Sequence, residues 1–114
     1  KLIIFHSLMI IYNITYNIDE SIHEQWLVWI KQHILKVLSI GLFSKATFTK
    51  VLVKESMGGL TYSVQYLAPS KDSLESFYTV HASKFQAEES HLFGDKLLVF
   101  KTELELIDEY FETL

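Results

Sequence analysis

A chain of 114 residues, 49% of them apolar, is large enough to build one hydrophobic core and short enough to be a single domain. A net charge of −4, with its cations dispersed and no arginine among them, lacks the basic patch that a phosphate backbone demands, so no nucleic-acid partner is expected. The absence of cysteine excludes disulfides, thiolate chemistry and any cysteine-held zinc, and four glycines with one proline leave no composition for a flexible linker.

Residues 1–8 read as an upstream extension, because Met9 can serve as an initiator and the domain pattern starts there. The run from Lys1 to Ile14 is apolar, yet it is shorter than the roughly 20 residues a spanning helix needs, and no small-residue cleavage site follows. No membrane association is expected, and the cytoplasm is the default compartment. From Met9 to Ile18 the residues Ile10, Tyr12, Ile14, Tyr16 and Ile18 alternate with Ile11, Asn13, Thr15 and Asn17, which is a strand with one apolar and one mixed face.

Asp19-Glu20-Ser21 starts a helix, with Ser21 and Glu24 spaced as a capping box. At 3.6 residues per turn, Ile22, Trp26, Trp29, Ile30, His33, Ile34 and Val37 fall on one broad face, and Gly41 is a natural stop. Two strands follow, Ala46 to Glu55 and Leu60 to Ala68, joined by a turn at Ser56-Met57-Gly58-Gly59. Pro69-Ser70-Lys71-Asp72 then launches a second helix, whose Leu74, Phe77, Tyr78, His81, Phe85 and Leu92 share a face. Phe93-Gly94-Asp95 breaks it. Lys96 to Ile107 is the last strand, and the domain of residues 9–107 gives way to an acidic tail over 108–114.

The order β-α-β-β-α-β is the split βαβ arrangement of ferredoxin-like α+β sandwiches, a four-stranded antiparallel sheet with both helices on one face. The helix-free face should then present Ile11, Thr47, Thr49, Val51, Val53, Leu97 and Val99. Covering so much β-branched surface is a driving force for association, so a homodimer paired through that face is expected.

The runs MIIYNITYNIDESIHEQW at 9–26, HILKVLSIGLF at 33–43, VLVKESMGGLTYSVQY at 51–66 and FGDKLLVFKTELELI at 93–107 resemble a family of small bacterial proteins classed as a domain of unknown function. The resemblance spans Met9 to about Asp108, with one departure at Leu35, where the family often carries proline. It implies a ferredoxin-like fold of the dimeric α+β barrel group and no particular activity. That group includes small oxygenases, isomerases and haem-degrading enzymes. Haem-degrading members pair a helix histidine with a strand asparagine and a tryptophan. His81 and Asn13 fit that pattern, but Trp26 and Trp29 both sit on the first helix and do not.

The chemistry-bearing candidates are His33 and His81, each near the centre of an apolar helix stripe and so aimed at the same sheet face. With Tyr12, Tyr62, Tyr66 and Tyr78 they would line a helix–sheet pocket able to hold a small apolar ligand. The plainer alternative makes both of them core histidines satisfied by hydrogen bonds. His23, Glu24, Glu88, His91 and Asp95 lack the tight spacing of a metal site, and no cofactor motif is present, so neither metal nor cofactor is expected. No G-x-S-x-G elbow occurs, and Gly58-Gly59 has no phosphate-loop lysine beside it. The favoured reading is a small soluble homodimer that binds or interacts without catalysis. The competing one is an oxygenase or isomerase using His33 or His81 as acid or base.

Overall fold

The computed structural model describes residues 8–53 and 58–113. Most of the expected upstream extension, residues 54–57 of the hairpin connection and Leu114 lie outside the described residues. Strand β1 is Ile10–Ile18, and its burial alternates residue by residue as the sequence pattern requires. Helix α1 covers His23–Ser39 and is entered through a 3-10 turn at Glu20–Ile22. The cap is Asp19, not Ser21: its carboxylate accepts the Ser21 backbone N–H at 2.9 Å, a local bond that a short acidic side chain makes readily. Burial of Trp26, Ile30, His33 and Val37 follows the expected stripe, and Gly41, at φ +87°, follows the helix end.

Strands β2 (Lys45–Lys50), β3 (Leu60–Ala68) and β4 (Leu97–Glu105) complete a four-stranded sheet in the order β2-β3-β1-β4, all neighbours antiparallel. Strand β2 is shorter than expected. Its last ladder bond runs from the Val51 N–H to the Thr61 carbonyl, and Leu52 and Val53 then leave the sheet exposed. Gly58 and Gly59 both take positive φ, which turns the chain away where β3 would have continued, so Leu52 and Val53 have no strand to pair with. A Cβ at Gly59 would lie 2.8 Å from Asn17 Oδ1 and 3.0 Å from the Ile18 carbonyl. Gly59→Ala combines that clash with a left-handed backbone and is expected to cost about 2 kcal/mol, read from urea denaturation.

The second helix, α2, starts at Lys71–Ser76 behind an Ser70 cap, passes through a π-helical turn at Phe77–His81 and continues over Ala82–Phe93. Within the turn the Ala82 N–H reaches back to the Phe77 carbonyl, an i to i−5 bond. The extra residue rotates everything after it by roughly 100° relative to a plain α-helix. The inward face becomes Leu74, Phe77, Ala82, Phe85 and Phe93, while Leu92 and Tyr78, expected inside, are exposed.

Both helices pack on the face carrying Tyr12, Tyr16, Tyr62, Val64 and Tyr66, and Trp26 is fully buried among Tyr16, Tyr62 and Phe48. The helix-free face differs from the expected set. Register pairs Ile18 with Leu97 and Tyr16 with Val99, which puts Leu97 and Val99 under the helices. Leu98, Phe100 and Leu104 therefore stand on the open face, 55%, 60% and 42% exposed. The middle of that face is polar: Asn17 Nδ2 donates to Thr61 Oγ1, and the Thr49 and Ser63 hydroxyls bond at 2.9 Å.

Candidate functional site

On the helix-covered side of the sheet an opening lies between α2 and β4. An inner cavity of about 30 Å³ is lined by Tyr12, Ile14 and Tyr16 of β1, His33 of α1, Phe77, Ala82, Phe85, Gln86 and Glu89 of α2, and Val99 and Lys101 of β4. Gln86, Glu89, Val99 and Lys101 also line an outer groove of about 380 Å³, which adds Ser90, Gly94, Leu97 and Leu98. Two local features create the opening. The π turn spans from Phe77 to Ala82 beside the cavity, and the apolar stretch of β4 gives way to Lys101 opposite Ile14.

His33 is 6% exposed, stacked on Trp29 with centroids 4.5 Å apart and met edge-on by Phe85 at 5.0 Å. Its Nδ1 is buried without a hydrogen-bond partner. Burial pulls the imidazole down to about 4, against the attraction of Glu88, because a charged ring cannot be solvated there. Glu88 is itself engaged, accepting the Trp29 Nε1–H at 3.1 Å. Glu89 is half-buried, and desolvation pushes its carboxyl up to about 7, with Lys101 acting in the opposite direction. Burial, then the charges of Glu103 and Glu89, push Tyr12 up to about 12. Tyr16 and Tyr66 are raised by burial first, and Glu89 adds to both.

The candidates named from sequence are dispersed. His33 and Tyr12 line the cavity together. Tyr66 packs behind Tyr12 at 6.4 Å with its hydroxyl buried and unpaired. Tyr78 stands at the rim, edge-on to Tyr12, and donates its hydroxyl to Glu103 at 2.9 Å. Burial and that bond to a carboxylate both raise Tyr78. His81 stacks on Phe77 within the π turn and does not reach the cavity, so the two histidines do not share a pocket. Tyr62 lies toward the other end of the sheet, its hydroxyl 2.7 Å from His23 Nε2. Asn13 is on the helix-free face, where its Nδ2 donates to Thr15 Oγ1. Tyr16, Gln86, Glu89 and Lys101 were missed. The alternation of β1 could have flagged Tyr16, whereas Glu89 turns inward only because of the π turn.

The inner lobe has room for a single water-sized group. Among the described residues, no group of three or more His, Asp or Glu side chains could hold a metal ion. No helix among them is long and apolar enough to cross a membrane.

A four-stranded antiparallel sheet in the order β2-β3-β1-β4, with two helices on one face, defines a ferredoxin-like α+β domain. Residues 9–107 match the family described as a domain of unknown function, DUF4286, and the chain belongs to that family. A solved structure with the same fold is a dimeric ferredoxin-like protein from an uncultured marine organism. It is 11% identical, with a TM-score of 0.71, and the alignment covers 91% of this chain and 100% of the other. No curated protein matches the sequence.

Proposed function

We propose that the protein works as a homodimer, two copies meeting through their helix-free sheet faces, and that it binds a partner or ligand instead of catalysing a reaction. The observation that carries the pairing is the strip of Leu98, Phe100 and Leu104 on β4, which leaves large apolar groups in water on a face with no helix of its own. Ile11 and Leu67, paired across β1 and β3, continue it at one end of the sheet. Burying such side chains at about 25 cal/mol per Å² favours association, and the polar Asn and Thr groups between them can set the register of a two-fold pairing. The neighbour of the same fold is itself described as dimeric.

Binding is favoured over catalysis because the buried histidine is held neutral between two rings and the second histidine stands outside the cavity. The test of pairing is mass in solution. Light scattering behind a sizing column should give twice the chain mass at micromolar concentration. Phe100→Glu should give a folded monomer, its dimer weakened by roughly a hundredfold or more, because it places a charge in the contact. A wild-type monomer under those conditions would overturn the pairing.

A further inference from the structure

The α2–β4 cleft narrows inward, from the outer groove of about 380 Å³ to the lobe of about 30 Å³, with Glu89, Val99 and Lys101 lining both. We infer that this cleft binds a small primary amine, its ammonium head in the inner lobe and its carbon chain lying outward along Val99 and Leu97. The inference rests on reading the chain as a binding protein, but not on how two copies meet.

Size narrows the chemistry first. A lobe of about 30 Å³ matches one water, and a primary ammonium is of that size. A quaternary ammonium, its nitrogen ringed by four carbons, is too large for it. Hydrogen bonding points the same way. The buried Nδ1 of His33 has no partner, and an unprotonated imidazole offers one ring nitrogen as an acceptor. The oxygens of Tyr12 and Tyr16 and the Glu89 carboxylate can accept the remaining N–H groups.

The field at Tyr12 favours a cation. The fields of Glu89 and Glu103 both reach Tyr12 in the lobe, while Lys101 is the one cation lining it. A π turn at the cavity wall is a further mark, since such turns recur at functional sites.

Binding of a cation should favour the ionised form of Glu89. Facing it are Lys101 from β4, Tyr12 and Tyr16 from β1 and His33 from α1. The tyrosines, raised, and the imidazole, lowered, stay neutral between pH 6 and 8. With Glu89 at about 7, affinity for an amine should be about tenfold weaker at pH 6 than at pH 8, because a proton must leave first.

The experiment is a nuclear magnetic resonance titration of the full chain with butylammonium chloride, run beside sodium butyrate and tetramethylammonium chloride. Butylammonium should saturate and shift signals of Tyr12, His33 and Glu89, and the other two should not. Glu89→Gln should weaken binding by roughly tenfold or more and abolish the pH dependence. Lys101→Met, at an exposed position, should strengthen it by removing the competing cation, and it serves if the first variant does not fold. Butyrate binding in place of butylammonium would overturn the assignment. So would no saturation, which means a structural water alone fills the lobe, or unchanged binding in the Glu89 variant. Each result is read as binding, whatever the mass of the species.

Discussion

Trp26→Ala should cost about 4 kcal/mol, enough to leave much of the protein unfolded if total stability is in the usual range of about 5–15 kcal/mol. The side chain is 0% exposed, and its ring meets Tyr16 and Tyr62 at 5.2 Å and Phe48 at 6.0 Å. It joins α1 to three strands at once, so truncation opens a cavity that no single element can close by moving. Trp26→Phe should behave quite differently. The indole Nε1 is buried without a partner, and an unmet buried donor costs about 1–3 kcal/mol. Removing it offsets most of the volume lost, so the phenylalanine variant should lie within about 1 kcal/mol of wild type. Urea denaturation followed by circular dichroism separates the two. An alanine variant as stable as the phenylalanine one would mean that Trp26 is not the centre of the core.

The stability of the wild type should fall by only about 1 kcal/mol between pH 6.5 and 4.5 through two buried groups, because they oppose each other there. His33 is lowered from 6.5 to about 4. In that window the unfolded chain takes up a proton that the folded chain refuses, so the contribution is complete above pH 6.5 and is lost as pH falls toward 4. The full loss is about 3 kcal/mol. Glu89 is raised from 4.5 to about 7. Here the folded chain holds the proton, so the contribution is complete below pH 4.5 and is lost as pH rises through 7. Partial exposure lets solvent screen this group, which cuts its share to about 1–2 kcal/mol.

Single substitutions should therefore unmask opposite slopes. Glu89→Gln should lose about 2 kcal/mol between pH 6.5 and 4.5, more steeply than wild type. His33→Phe should be more stable at pH 5 than at pH 7. Taking each variant minus wild type at every pH removes the titration of the remaining carboxylates. Parallel profiles for all three proteins would mean that neither group is buried as described.

These expectations draw unevenly on the sequence. The alternation of β1, the α1 stripe through Trp26, Ile30, His33 and Val37, and the stop at Gly41 were legible because each is a local pattern that one element expresses alone. Element order then fixed the ferredoxin-like architecture, since few topologies accommodate β-α-β-β-α-β. Membership of DUF4286 over residues 9–107 agrees with the resemblance seen in those runs.

Strand β4 shows where local pattern fails. Leu97, Leu98, Val99 and Phe100 are all apolar, so either face could have turned inward, and a one-residue choice flips every side chain. Pairing with β1 made that choice, sending Val99 under the helices and leaving Leu98 and Phe100 in water. The π turn in α2 has no comparable signature, and its extra residue is held by packing around Phe77 and Ala82. It turned Glu89 into the lining of the cavity and left His81 outside it. Sequence alone thus determined which elements form and in what order. Tertiary structure decided which faces meet, because register and helix phase are set by contacts between elements and not within them.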